Sequence, residues 1–468
     1  MDIIELINAL PECEVFGGLD MKIKGITAES KKVTEGFMFV AIAGRHDDAY
    51  KFIPSAIRSG ATVVVGEREP TLLWLKKITY IKVENARESL GYLASRWYGD
   101  PSSKLKVIGI TGTDGKTTTA NLLWKMLNVS GKTAGLISTV GARIGNKIYD
   151  TGLHITNPEA LELQKHLALM INADCEYAVI EVTSHGIDQH RNTGVIFDTA
   201  LLTNISREHL DYHKDIKNYR GTKAKLFRDV RYAVLNRDDK VYNFFKKAAK
   251  GARIIPYTHR NKFAEASTLP GKYNLYNISA AVAVAKIYKC RDSDIRKAIK
   301  TFPDLPGRMQ EIKEGQNFKV FVDFAHTPNA LKNLLSSLRI VLPKGNELIV
   351  VFGCAGERDS GTRAPRGRIA SRYAHKVIVT ADDPRNESLN LIYRDVVSGV
   401  HPDNLHRIMR VDDRKKAIAV ALTLANRNDI VVLAGKGHEK SLSIRGREIP
   451  WADVDVARDL LKGLTSLP

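Results

Sequence analysis

The sequence predicts an α/β protein of three domains, and three observations predict it. A chain of 468 residues exceeds what one hydrophobic core usually organises, and domain-size arithmetic gives about three units. Short, almost continuously apolar runs alternate with helical stretches, the pattern of parallel sheets covered on both faces. Residues Val107 to Thr119 read as a buried strand, a glycine-rich turn and a helix start, a P-loop-like cradle for phosphate.

Taken in order, residues 1–102 carry the strands Phe37–Ile42 and Ala61–Val65, glycine turns and a helix around Ile53 to Ser59, which make a small α/β unit. Pro101 to Ser103 punctuates the chain as a linker. The central domain, 103–306, opens with the phosphate-loop strand and continues through the strands Tyr177–Val182 and Thr199–Thr203, with functional residues expected at strand ends. The stretch Leu305 to Arg308 is the next break. The third domain, 307–468, follows with strands Val320–Asp323, Leu348–Phe352, Lys376–Thr380 and Ile430–Ala434.

Hydrophobic residues at 44% and charged residues at 26% are those of an ordinary soluble protein without low-complexity segments. The acidic N-terminus and the lack of a membrane-length apolar run predict a cytoplasmic protein without membrane insertion, expected as a monomer. Four cysteines stand without C-x-x-C spacing, which argues against zinc sites and disulfides and predicts buried thiols. The net charge of +19 raises the question of nucleic acid. Basic residues are spread along the chain, mixed with acids and not interleaved with aromatics, so no nucleic-acid partner is expected. A substrate with several negative charges would profit equally from a positive field.

The loop carries the first chemistry. Gly112 and Gly115 permit backbone conformations that aim N–H groups at phosphate oxygens, while the following helix offers its positive end. Lys116 would neutralise phosphate and Thr117 would bind magnesium. Strict P-loop spacing asks for glycine at Ile110, and Gly109 comes one residue early, so the loop is a variant. Glu181 ends one apolar strand and His209 follows another, an arrangement that suggests a magnesium site facing the loop. Lys223 lies in the helical stretch Tyr219 to Phe227, whose lysines the residues alone read as a solvated face.

An ordered series of motifs resembles the Mur ligases, of the MurE type. It comprises TGTDGKTTT at 111–119, EVTSHGIDQHR at 181–191, TNISREHLDYH at 203–213, GRMQEI at 307–312, VDFAHTPNAL at 322–331, FGCAGERDSGTR at 352–363, DDPRNE at 382–387 and AGKGHE at 434–439. The resemblance implies an N-terminal uridine-nucleotide-binding domain, a central ATPase domain and a C-terminal Rossmann-like domain. It implies ATP contacts at Gly112, Thr113, Gly115, Lys116, Thr117, Thr118, Asn274, Asn277, Arg308 and Asp323. Magnesium would lie on Thr117, Glu181, His209 and a carbamylated Lys223, with Lys116, Lys223 and His209 as the catalytic set. Ser30, Thr156, Asn157, Ser184, Gln189 and Arg191 would contact the UDP-linked substrate. Arg358, Asp383, Pro384, Arg385, Gly435 and Glu439 would surround the amino acid.

The implied reaction joins a diamino acid to UDP-N-acetylmuramoyl-L-alanyl-D-glutamate. ATP turns the poorly reactive glutamyl carboxylate into an acyl phosphate that an amine then attacks. Against the family pattern, Asp114 replaces asparagine, Thr183 serine, Glu208 aspartate and Asn157 threonine, and the connection between Pro256 and Gly271 is short. The amino acid is left open between two choices. Arg385 suits the distal carboxylate of meso-diaminopimelate, whereas Asp383, in place of the usual asparagine, suits the lone ammonium of L-lysine. The competing functions are a folylpolyglutamate synthetase-like ligase, which would lack the N-terminal unit, and a basic nucleic-acid-binding ATPase.

Overall fold

The computed structural model describes residues 1–44, 48–151, 156–267, 269 and 271–465. Three main sheets follow one another along the chain. The first has five strands in the order Glu14–Phe16, Thr79–Lys82, Ala61–Gly66, Phe37–Val40 and Gly25–Thr27, parallel except for the Glu14–Phe16 edge. The helix Ala86–Trp97 covers one face and joins this unit to the next. Gly91 on that helix lies so close to Thr193 that a side chain there would collide with it, and Ser95 Oγ donates to the Gly194 carbonyl at 3.1 Å.

The central sheet has eight strands. Six are parallel, in the order Arg253–Tyr257, Tyr232–Asn236, Thr199–Leu202, Lys106–Thr111, Tyr177–Glu181 and Ala134–Ser138. The strands Gly141–Ile144 and Lys147–Tyr149 extend it antiparallel, a departure from the expected parallel sheet. The phosphate-loop strand lies between Thr199–Leu202 and Tyr177–Glu181. The three C-terminal ends, bearing Gly112, Glu181 and Thr203, therefore emerge side by side at the crevice where such sheets bind ligands. Both faces are covered: helices Lys116–Val129 and Lys272–Ile287 bury Ile108 and Ile110 on one side, while Leu163, Leu167 and Phe227 bury Val107 on the other. Gly109 belongs to this packing rather than to the loop, because a side chain there would run into Phe197 and Leu226.

The third sheet has six strands, with Gln310–Ile312 antiparallel at one edge and then Lys319–Asp323, Ile430–Ala434, Leu348–Phe352, Lys376–Val379 and Ile408–Arg410 parallel. A separate hairpin, Ser441–Ile444 with Arg447–Pro450, stands beside the strand ends. The expectation of buried thiols holds for Cys290 and Cys354, whereas Cys13 and Cys175 are only half-buried because they lie in the turns flanking strands. No described helix is long and apolar enough to cross a membrane.

The last helix, Asp453–Thr465, is pinned by charge. Arg414 and Asp453 are fully buried and paired at 2.6 Å, and Arg414 also donates to the carbonyls of Ala381 at 3.2 Å and Ala434 at 3.3 Å. Arg414→Ala leaves a buried carboxylate without its partner, so a loss of about 3–5 kcal/mol is expected in denaturant unfolding. A loss below about 1 kcal/mol, the scale of an exposed pair, would show that the bridge does not hold the helix.

Candidate active site at the domain junction

The loop between Thr111 and Lys116 is shaped by two glycines in positive φ, Gly112 at +146° and Gly115 at +83°. A side chain at Gly112 would strike Thr203 Oγ1, and one at Gly115 would strike Asn277 Oδ1. The helix Lys116–Val129 starts immediately, with no side chain capping its first N–H groups, which leaves them directed at the loop concavity. Lys116 Nζ donates to the carbonyls of Gly112 at 3.1 Å and Thr113 at 2.7 Å.

Lys223 reaches the same point from behind. Its Nζ donates to the Gly112 carbonyl at 2.9 Å and lies 4.8 Å from the centre of the Tyr219 ring. The residue is 1% exposed, which corrects the solvated-face reading: helix Ile216–Ala224 turns this lysine inward while Lys217 and Lys225 stay exposed. Burial, and then the neighbouring Lys116 charge, hold its amine well below the usual lysine range.

Glu181 is fully buried. Its carboxylate accepts from the Thr139 N–H at 3.3 Å, Thr139 Oγ1 at 2.9 Å and Thr117 Oγ1 at 3.3 Å, and Arg308 donates to Thr117 Oγ1 at 3.0 Å. Burial pushes the carboxyl upward, opposed by Lys116 and Arg308. Arg308 Nε and Ser206 Oγ are buried here without a partner. A cradle closed to any Cβ, unused donors at its wall and an oxygen-rich set on Thr117 and Glu181 fit a magnesium-bound nucleotide.

His209 is placed differently. Its backbone is left-handed, φ +54°, and its ring lies 3.4 Å from Glu208 and 3.6 Å from Asp359, so it faces those two carboxylates rather than Glu181. His209, Asp211 and Asp359 bring one ligand atom each within 4.8 Å of one another. Burial, and then Asp211, push the Asp359 carboxyl up to about 7.

Glu208 lies at the centre of a hydrogen-bonded chain, with Tyr219 OH donating to it at 3.1 Å and His326 Nε2 at 3.1 Å, and with Thr113 Oγ1 3.1 Å from Tyr219 OH. Burial alone would raise this carboxyl, yet His209 and His326 hold it well below its ordinary value. A second crossing joins the loop to the third domain. Asp114 accepts from Thr327 Oγ1 at 3.1 Å and from Asn329 Nδ2 at 2.7 Å.

A cavity of about 1130 Å³ runs along this junction. Around the loop it is lined by Thr113, Gly115, Lys116, Thr117, Thr118, Asn274, Asn277, Arg308 and Asp323. Asn277 donates to Asn274 at 3.0 Å, and Asp323, raised by burial, accepts the Met309 N–H at 2.7 Å. On the N-terminal side the lining includes Thr156, Asn157, Gln189 and Arg191. Asn157 fixes the wall, donating to the Glu181 carbonyl at 2.6 Å, accepting the Thr183 N–H at 2.8 Å and receiving Arg191 on its own carbonyl at 2.8 Å. Ser184 is buried behind this wall with its hydroxyl unpartnered, and Ser30 begins the short turn Ser30–Lys32 of the first domain, away from the lining.

The far pole belongs to the third domain, where Arg358, Asp383, Arg385, Gly435 and Glu439 line the same cavity and Pro384 lies beneath it against Gly356. Asp383 and Arg385 are left-handed, φ +47° and +53°. The hairpin clamps them: the Ser443 N–H donates to Asp383 at 2.8 Å, the Arg385 N–H to the Ser443 carbonyl at 3.1 Å, and the Arg445 N–H to the Arg385 carbonyl at 2.7 Å. Lys436, fully buried, binds both Asp383 oxygens at 2.8 and 2.9 Å and Glu439 at 2.7 Å. Sequence reasoning passed over Thr139, His326, Asp359 and Lys436. The last three stand inside the quoted motifs, where they could have been found, while Thr139 has only its place at a strand end.

Three family models match consecutive stretches of the chain: the Mur ligase family catalytic domain over residues 22–98, the Mur ligase middle domain over 110–268 and the Mur ligase glutamate ligase domain over 307–437. Among curated proteins, the UDP-N-acetylmuramoyl-L-alanyl-D-glutamate–2,6-diaminopimelate ligase of Parabacteroides distasonis is 36% identical over 98% of this chain and 99% of its own length. The enzyme of the same name from Clostridium botulinum is also 36% identical, over 94% of this chain and 95% of its own. A solved structure of a ligase with that name superposes with a TM-score of 0.64 at 28% identity, covering 96% of this chain and 97% of that one.

The Asp114–Asn329 crossing is directly testable. Asn329→Asp sets two half-buried carboxylates against each other, and a loss on the order of 1–2 kcal/mol in thermal or denaturant unfolding is expected. The double variant Asp114→Asn with Asn329→Asp restores one donor and one acceptor and should recover most of it. Additive losses in the double variant would mean that the two side chains do not interact.

Proposed function

The chain belongs to the Mur ligase family, and from that premise we propose that it is the ATP-dependent ligase joining 2,6-diaminopimelate to UDP-N-acetylmuramoyl-L-alanyl-D-glutamate through an acyl phosphate. The observation that carries this reading is one continuous cavity with a phosphate cradle at its centre, Asn157 and Arg191 on one wall, and Arg358 and Arg385 at the far pole. The match over residues 22–98 supports it over a folate-type ligase. We assign substrate binding to 1–102, ATP binding to 103–306 and amino-acid binding to 307–468, and place the reaction among cytoplasmic steps of peptidoglycan precursor synthesis.

In this reading the loop N–H groups and Lys116 hold the β- and γ-phosphates, with Asn274, Asn277 and Asp323 around the nucleoside. Thr117 and Glu181 would hold magnesium, which when bound would neutralise charge on the transferring phosphoryl group. Arg191 and Gln189 orient the UDP-linked peptide so that its glutamyl carboxylate meets the γ-phosphate in line. Lys116 and Arg308 then stabilise the oxyanion formed when the amine attacks and phosphate leaves. Contacts of Asp114 and Glu208 with the third domain close the junction and keep water from the acyl phosphate.

Lys223 contributes through carbamylation. An amine held in its uncharged form attacks carbon dioxide, loses a proton and becomes an anionic carbamate. Its low affinity for protons and its place against Gly112, beside Lys116, support this assignment. The carbamate would then join the metal-binding set beside Thr117 and Glu181.

Phosphate release with UDP-N-acetylmuramoyl-L-alanyl-D-glutamate and each of meso-diaminopimelate, L-lysine, D-lysine and L-ornithine tests the function. Turnover with meso-diaminopimelate is expected, and release with none of the four would end the proposal. Lys116→Ala should lower kcat by about 10²–10³ or more while the fold persists. Lys223→Ala should be nearly inactive and partly rescued by short carboxylic acids; full activity without bicarbonate would remove Lys223 from the site.

A further inference from the structure

The wall on the N-terminal side of the cavity contains an amide whose groups are turned into the protein. Asn157 borders the cavity, yet it is 1% exposed and its side chain is engaged by the segment 181–183. Nδ2 donates to the Glu181 carbonyl at 2.6 Å, and Oδ1 accepts both the Thr183 N–H and the Thr183 hydroxyl, each at 2.8 Å. These neighbours fix the orientation of the amide, because a carbonyl only accepts and an N–H only donates. A single N–H of the amide is left over. The Thr183 hydroxyl, having given its proton to Asn157, accepts the Gly186 N–H at 2.9 Å and so caps the helix Ser184–Asp188. Between the two clamped residues, the Val182 N–H donates at 2.8 Å to the carbonyl of Ile110, on the strand that leads into the phosphate loop.

We infer that Asn157 is a positioning residue for the magnesium site: its amide sets the backbone of Glu181 against the phosphate-loop strand, and so decides where that carboxylate stands beside Thr117. This rests on the ligase reading given above and deepens it. It also departs from the role that the family resemblance implies for residue 157, a contact with the UDP-linked substrate. The carboxylate end of Glu181 is steadied from the same segment. Thr156 Oγ1 lies 3.0 Å from Thr139 Oγ1, which donates to Glu181 at 2.9 Å. Consecutive residues thus grip Glu181 at both ends, Asn157 directly on its carbonyl and Thr156 through Thr139 on its carboxylate. Arg191, the cation of this wall, uses only the main-chain carbonyl of Asn157, at 2.8 Å, and Glu159, at 2.9 Å, so a change of the side chain at 157 leaves its anchors in place. The amide also dictates its neighbour. A Cβ at Gly186 would lie 2.4 Å from Asn157 Oδ1 and 2.8 Å from its Cγ, so glycine stands in a helix where alanine would otherwise be favoured.

The test uses the full chain and three readouts: manganese(II) binding by electron paramagnetic resonance with a non-hydrolysable ATP analogue present, kcat, and the KM for UDP-N-acetylmuramoyl-L-alanyl-D-glutamate. Asn157→Ala should weaken manganese binding and lower kcat, each by about 10–100-fold, the usual effect of removing a group that orients a metal ligand. The KM for the UDP-linked substrate should stay within about threefold. Gly186→Ala, whose methyl group displaces the amide, should show the same pattern. Combined with Asn157→Ala, which vacates that space, it should add less than about threefold to the loss. A KM for the UDP-linked substrate raised about tenfold or more, with manganese binding and kcat unchanged, would mean direct substrate contact and overturn the inference. Losses that multiply in the double variant would overturn it as well. Should Asn157→Ala fail to fold in a thermal melt, Gly186→Ala alone is read in the same way. A wild-type protein that turns over with none of the diamino acids would refute the ligase reading, and the inference with it. Wild-type turnover, with manganese binding unmoved in the variants, would refute only the role of Asn157.

Discussion

One carbonyl, that of Gly112, takes hydrogen bonds from two lysines, Lys116 at 3.1 Å and Lys223 at 2.9 Å. Two ammonium ions cannot share such a point in a buried setting without large repulsion, so one must give up its charge. Burial, and then the Lys116 charge, lower the Lys223 amine well below the usual lysine range, while Lys116 is half-exposed on the cavity side. This contact sets one buried lysine and one cavity-facing lysine on a single loop carbonyl. It depends on the positive φ of Gly112, which turns the carbonyl away from the phosphate concavity and toward both side chains.

The neighbouring carboxylates follow the same logic. Glu181 and Glu208 are buried and Asp114 is half-buried within the same junction, and each is held by groups from a different direction. Glu181 is held within the central domain by Thr117 and Thr139. Glu208 and Asp114 take partners from the third domain, His326 for one and Thr327 with Asn329 for the other. Burying these acids is unfavourable unless the third domain supplies its donors. Domain closure is thereby coupled to the state of the phosphate loop, since Asp114 lies inside the loop and Glu208 reaches Thr113 through Tyr219.

The strands were legible because strands buried on both faces read as unbroken apolar runs, and the runs at Lys106–Thr111, Leu348–Phe352 and Ile430–Ala434 lie at the centres of their sheets. The loop was legible because its glycines leave a local signature. Lys223 was not, because nothing in Tyr219 to Phe227 marks which face of that helix packs on Gly112; burial there is decided by a sheet more than a hundred residues upstream in the chain. Gly109 misled for a related reason. Its place one residue before the expected loop position reflects the ring of Phe197, a contact that sequence spacing cannot reveal.

The open choice at Asp383 is the sharpest instance of that limit. Read as a residue type, an aspartate beside an arginine is ambiguous between an ammonium acceptor and an ion-pair member. What decides its meaning is a cation fifty-three positions away, Lys436, together with the hairpin N–H of Ser443. The carboxylate is held by these groups, and the same ammonium bridges Glu439 at 2.7 Å, so the acids of this wall are tied together by one buried cation. The net charge of +19 has no matching excess in the cavity, whose lining carries more aspartates and glutamates than lysines and arginines; the positive field at the phosphate loop comes from individually placed groups, Lys116 and Arg308, and from the helix N-terminus behind the loop.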